Sequence, residues 1–206
     1  MKHGKVWNDQ TLKRVLLSAG PMALAMMLTV SLPLAASADR IQTPSIPSDL
    51  RVPAGNKAVL VGHAIGTQNY ICQPSGWAFF GPQATLFDDH EKQLITHYLS
   101  ANPVESGTPR ATWQDSRDTS AVWALAIAAY AEPDFVEPGA IPWLKLRVVG
   151  AHDGPTGGDK LTETTFIQRL NTKGGSAPAE GCLTTGDVGK QTLVPYTADY
   201  YFFRKD

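Results

Sequence analysis

The chain has 206 residues, a formal net charge of −1, 43% hydrophobic and 18% charged residues, and two cysteines. With 19 acids against 18 bases and no basic cluster, it has no electrostatic means of holding nucleic acid or an anionic membrane. Fifteen prolines and eighteen glycines, spread between short alternating runs, point to strands and turns.

Lys2, Lys5, Lys13 and Arg14 form a basic leader, residues 22–30 an apolar core, and Ala36-Ser37-Ala38 a small-residue cleavage site. Gly20-Pro21 and Pro33 interrupt the run of about 20 apolar residues that a spanning helix needs. Residues 1–38 therefore read as a secretory signal peptide cleaved after Ala38, and the chain as exported, periplasmic or extracellular, without stable membrane insertion. Removal leaves 206 − 38 = 168 residues, a single domain with one core. The removed charges, four positive and Asp9, take the net charge from −1 to −4.

Residues 39–56 hold Pro44, Pro47 and Pro53 among small polar residues and read as an extended lead-in to a domain at 57–206. From Lys57, Val59, Val61, His63 and Ile65 alternate with Ala58, Leu60, Gly62 and Ala64. A period of two marks a strand, and apolar character on both faces makes it central. Gly66 suits a bulge or a close approach, after which Asn69-Tyr70-Ile71-Cys72 resumes the extended pattern. Short apolar runs at 77–80 and 84–87 are separated by Gly81-Pro82, and the polar turn 88–92 leads into a hairpin strand at 94–99. A long loop is expected from Ser100 to Ala111, around Pro103, Gly107 and Pro109.

Residues 121–130 have enough alanine for a helix. Val122, Ala124, Ala126 and Ala128 nevertheless alternate with Trp123, Leu125, Ile127 and Ala129, so a strand with one small and one large face is expected. In 143–149, Leu144, Leu146 and Val148 face a core while Trp143, Lys145 and Arg147 face solvent. Residues 153–159 turn the chain into a returning strand at 161–170, Asn171-Thr172-Lys173-Gly174-Gly175 is expected to turn again and deliver Cys182 to Cys72, and Tyr200-Tyr201-Phe202-Phe203 closes as an aromatic strand. Export places Cys72 and Cys182 where disulfides persist; two buried free thiols are the alternative. The fold expected is all-β, an antiparallel β-sandwich or barrel of one domain with one disulfide.

Tyr70-Ile71-Cys72, Pro82-Gln83-Ala84-Thr85-Leu86-Phe87, Ile141-Pro142-Trp143-Leu144, Gln168-Arg169-Leu170-Asn171-Thr172-Lys173-Gly174-Gly175, Gly181-Cys182 and Pro195-Tyr196-Thr197-Ala198-Asp199-Tyr200 occur in this order. The ordered set resembles a secreted family of bacteria and fungi known only as a domain of unknown function, over nearly all of 55–203. The family tends to carry His-x-x-Gly-Pro-Thr-Trp followed by Asp-Gly-Ser; here 100–111 is longer and Ser116-Arg117-Asp118-Thr119-Ser120 stands in place of that turn. Some fungal relatives bear a malate dehydrogenase label, but this chain has no Gly-x-Gly-x-x-Gly after a strand and no βαβ alternation.

No catalytic motif is present. There is no Gly-x-Ser-x-Gly elbow, the carboxylate pairs lie in turns, and Gly154-Pro155-Thr156-Gly157-Gly158-Asp159-Lys160 lacks the ending of a phosphate loop. His63 and His97, on separate strands, are the weak alternative for a transition metal, without a His-x-His or His-Glu-x-x-His spacing. Arg169 shares its strand face with Ile167, Thr165 and Glu163, and is expected to pair with Glu163. Trp143, on the face of Lys145 and Arg147, suits stacking on a flat ligand. The reading that results is a binding or surface-associated module for a small molecule or glycan, its ligand held around His97, Trp113 and Arg169. The alternatives are an extracytoplasmic metal-assisted enzyme using His97 and His63, and a structural envelope protein with an exposed apolar patch and no pocket.

Overall fold

A computed structural model describes residues 41–206, so the expected signal peptide at 1–38 lies outside the described residues. The alternating runs close on themselves. β1 (Asn56–Gln73), β2 (Gly76–Phe87), β3 (Gln93–Asn102), β4 (Thr108–Asp115), β5 (Ala121–Tyr130), β6 (Trp143–His152), β7 (Thr164–Gly174) and β8 (Gln191–Lys205) form an antiparallel meander, and β8 returns to pair with β1. The fold is thus the barrel of the two expected architectures, and closure leaves no free sheet edge. β1 is 18 residues long and pairs with β2 on one side and β8 on the other, as its two apolar faces require.

Gly66 is a close approach: a Cβ there would lie 2.2 Å from the Gln83 carbonyl oxygen, so only glycine lets β1 and β2 meet at this point. Gly81-Pro82 does not break β2. The pair sits next to the register shift at Asn69/Tyr70, where a residue with no N–H is tolerated. The expected loop from Ser100 to Ala111 is mostly strand. β3 runs to Asn102, a 3-10 turn covers Pro103–Glu105, and β4 starts at Thr108. The turn is tight because Asn102 accepts from Val104 N (3.0 Å) and donates to Glu105 (2.7 Å), which also takes two hydrogen bonds from Arg110 (2.8 and 2.9 Å). Asn171-Thr172-Lys173-Gly174-Gly175 is likewise not a turn. It is the bulged end of β7, with Asn171 at φ 50° and a register shift against β8 between Leu170 and Lys173.

Two apolar clusters form where one core was expected. The inner one fills the barrel with Leu86, Ile95, Trp113, Val122, Ile167, Tyr200 and Phe202. The second covers the outer face of the wall, where Leu50 and Val136 pack on Trp143, Leu170, Tyr201 and Phe203. The lead-in supplies this cover: Leu50 is fully buried, Gln168 Nε2 donates to Leu50 O (2.6 Å), and Lys145 Nζ donates to Asp49 O (2.6 Å). Trp143 is consequently 5% exposed and edge-on to Phe135 at 5.6 Å, which corrects its expected role as a surface stacking platform.

The two ends of the barrel differ. At the end where β4 turns into β5 and β6 into β7, Leu161 enters the core and a polar network seals the turns. Asp115, with its side chain fully enclosed, accepts from Arg117 N, Asp118 N and Lys160 Nζ, and Asp118 accepts from Ser120 and Lys160 N. At the opposite end, the Cys72–Cys182 disulfide, 110 residues apart in sequence with Cα atoms 5.4 Å apart, ties the β7–β8 connection to the β1–β2 hairpin.

Candidate functional site

An eight-stranded barrel encloses an interior just wide enough for packed side chains or one small ligand. Here the half nearer the disulfide is not filled. A cavity of about 250 Å³ is lined from every strand: Gln68 (β1), Phe79 and Pro82 (β2), His97 and Leu99 (β3), Pro109 to Ala111 and Trp113 (β4), Ala124 to Ala126 (β5), Leu144 and Leu146 (β6), Arg169 (β7) and Tyr200 (β8). The room comes from small side chains, Ala111 on β4 and Ala124 and Ala126 on the small face that the alternation in β5 anticipated. Phe79 and Leu99 are 51% and 41% exposed and belong to both the wall and the surface, so the cavity opens to solvent beside them.

The three residues expected to bind a ligand line this one cavity. His97 and Trp113 are register partners on β3 and β4 and stack at 4.2 Å with their planes 12° apart. Tyr200 closes against both, at 5.2 Å from the imidazole and edge-on to the indole at 5.6 Å. His97 Nδ1 donates to Thr112 O (2.8 Å), which fixes the tautomer and leaves Nε2 as the acceptor. Burial is the main reason the ring stays neutral: it brings the pKa down to about 3, the bond to Thr112 pulling the other way and the charge of Arg169 adding to the depression.

Arg169 does not pair with Glu163, which instead meets Arg204 at 3.3 Å. Glu163 precedes β7 and lies on the surface, whereas Arg169 shares the inward face of Ile167. Its guanidinium donates through Nε (3.2 Å) and Nη2 (2.8 Å) to Pro142 O and lies beside the Tyr200 hydroxyl without a bond of good geometry. The other arginine of the wall, Arg110, is neutralised by Glu105; among the described residues no carboxylate pairs with Arg169. The tyrosines around it are raised by burial, and the positive charge partly offsets this at Tyr70, Tyr196 and Tyr200.

One polar residue of the wall, Gln68, was not anticipated, and neither was the state of the Trp113 indole N–H. Gln68 is 3% exposed and Trp113 1% exposed; the Gln68 amide nitrogen and the Trp113 indole N–H are buried without a hydrogen-bond partner among the described residues. Gln68 lies beside the Tyr196 hydroxyl without a bond of good geometry, and Tyr196 and Tyr200 share their hydroxyls at 3.2 Å. Gln68 stands in the polar run Thr67-Gln68-Asn69 of β1, so nothing in the sequence marked it as a wall residue.

His63 does not join His97. It lies on the outer face of β1, where Nδ1 meets Asp199 at 2.6 Å and Nε2 meets Asp89 at 2.9 Å, while the neighbouring Ala64 faces inward. The two histidines are on opposite sides of the wall and cannot share an ion. No group of three or more His, Cys, Asp or Glu is placed to hold a metal among the described residues, and none of their helices is long and apolar enough to cross a membrane. What the cavity can do chemically is offer hydrogen-bond donors, one uncompensated cation and an aromatic stack inside an apolar enclosure. Residues 53–204 match the family described as a protein of unknown function, DUF3455. No curated protein and no solved structure matches the chain.

Proposed function

Since the chain belongs to the DUF3455 family, membership supplies no activity, and we propose from the cavity that it is an exported small-molecule-binding barrel. The carrying observation is the unfilled interior to which all eight strands contribute, mostly apolar and with a few converging polar groups, the usual make-up of a ligand site. An apolar cavity of about 150 Å³ accepts benzene. About 250 Å³ therefore suits a ligand the size of one ring with a short side arm, held against the His97–Trp113 stack. Export is supported by the basic leader and by the disulfide, a bond that persists outside the reducing cytosol.

The test is isothermal titration calorimetry with ethylbenzene, a neutral apolar compound of one ring and a short arm that matches a cavity of about 250 Å³. One equivalent is expected to bind the protein, and Ala124→Phe, which fills the cavity from β5, is expected to abolish binding. Ile65→Ser and Leu193→Ser, on the exposed outer wall, are expected to leave it unchanged. Binding that survives Ala124→Phe and disappears with the outer-wall variants would place the site outside the barrel and sink the proposal. Retention of native thermal unfolding by Ala124→Phe separates a blocked cavity from a lost fold.

A further inference from the structure

The polar groups of the cavity are not an even mixture. Arg169 and Trp113 bring donors only, Gln68 and Tyr200 can both donate and accept, and His97 Nε2 is an acceptor. Arginine carries five N–H donors; Pro142 O takes two and the Tyr200 hydroxyl lies beside the guanidinium, which leaves at least two donors and a full positive charge. Among the described residues the Trp113 N–H is buried without a partner and the Gln68 amide nitrogen has only the poorly aligned Tyr196 hydroxyl beside it, and a buried donor carries a desolvation cost that an acceptor relieves. The rest of the wall, with Phe79, Leu99, Leu144 and Leu146, is apolar.

We infer that the ligand of the cavity is an organic monocarboxylate with an apolar body, its carboxylate on Arg169 and its body along the His97–Trp113 stack. The inference rests on the barrel being a binding protein and names the class of its ligand. A planar guanidinium fork matches a carboxylate in geometry, and a charge-assisted pair is about twice as strong as a neutral hydrogen bond. One uncompensated cation balances one negative charge. A phosphate dianion or a dicarboxylate would bring a second charge into a wall whose other arginine is already neutralised by Glu105. The neutral state of His97 leaves this balance unaltered at pH 7.

The experiment compares phenylacetate and hexanoate with their primary amides by isothermal titration calorimetry at pH 7. Each amide keeps shape and body but removes the charge. Each acid is expected to bind about 10- to 100-fold more tightly than its amide. The gap is expected to collapse in Arg169→Met and to persist in part in Arg169→Lys. Equal binding of acid and amide by the wild type overturns the carboxylate inference while leaving the binding barrel intact. The same holds if ethylbenzene binds and none of the four compounds does. Failure of ethylbenzene together with all four overturns both readings. The wild-type comparison decides the question even if an Arg169 variant does not fold.

Discussion

Replacing Cys72 and Cys182 together by serine opens the one covalent loop that the two cysteines of the chain can form. The closed loop spans 110 residues of sequence. In the chain-entropy treatment, a loop of that length lowers the entropy of the denatured ensemble by about 16 cal/mol/K, or about 4.8 kcal/mol at 25 °C. The native state keeps the region in place by other means. Cys72 N donates to Lys190 O (2.8 Å), Gly189 N to Cys72 O (2.9 Å), and Trp77 Nε1 to Glu180 O (2.9 Å). The loss therefore falls on the unfolded chain rather than on the barrel. At roughly 2–4 °C per kcal/mol for a domain of this size, Tm is expected to fall by about 10–19 °C. Urea unfolding followed by tryptophan fluorescence measures the free energy directly, with reduced wild type as the control for the serine side chains. A loss below about 1 kcal/mol in both variant and reduced wild type would refute the entropic account, because the denatured chain would then be constrained without the bond.

The two wall histidines are expected to titrate in opposite directions, followed by NMR of the ring resonances. Burial pushes His97 down to about 3. An unfolded His97 takes up its proton near 6.5, so its contribution to stability is lost as pH falls from about 6.5 toward 3. At His63, burial also disfavours the charged ring, but hydrogen bonds to Asp199 and Asp89 outweigh it and raise the pKa. Its contribution is complete below 6.5 and is lost as pH rises through the folded value. A His97 ring titrating near 6.5 would mean that water fully solvates the cavity floor. For the β1–β2 approach, Gly66→Ala places a Cβ 2.2 Å from Gln83 O and 2.5 Å from Ala84 Cα. A cost of about 1–3 kcal/mol is expected by chemical denaturation, and a neutral substitution would show that the strands separate freely.

Most strands were legible because a half-buried sheet writes its period into the chain. β1, β5, β6 and the terminal strand β8 follow the alternation of Val59 to Ala64, Val122 to Ala129, Trp143 to Val148 and Tyr200 to Phe203. β4 was not read as a strand because its first residues stand among Pro103, Gly107 and Pro109, which normally mark loops. Asn102 and the Arg110–Glu105 pair confine the turn to so few residues that strand resumes around Pro109. Trp143 was misplaced for another reason. Alternation tells inward from outward on a strand, but not whether the outward face of a barrel is wet, and here the lead-in at 41–52 covers it.

The candidate site followed the same division. His97, Trp113 and Arg169 could be singled out individually, and the side of the strand on which Arg169 lies was readable from Ile167. The Arg169–Glu163 pairing failed because sharing a strand face does not bring two residues together when one precedes the strand and lies outside the wall.

What the sequence determined by itself is the strand-forming alternation, the two faces of strands such as β5 and β6, and the two cysteines able to pair, since these depend on local period and composition. Tertiary structure alone decided that eight strands close in a ring, that the ring leaves space at one end, and that His97, Trp113, Arg169, Gln68 and Tyr200 surround it. Closure depends on register and stagger between strands, which are set by pairing across the whole sheet. An empty volume is in turn a property of which small side chains meet across the ring, and no single stretch of chain contains that information.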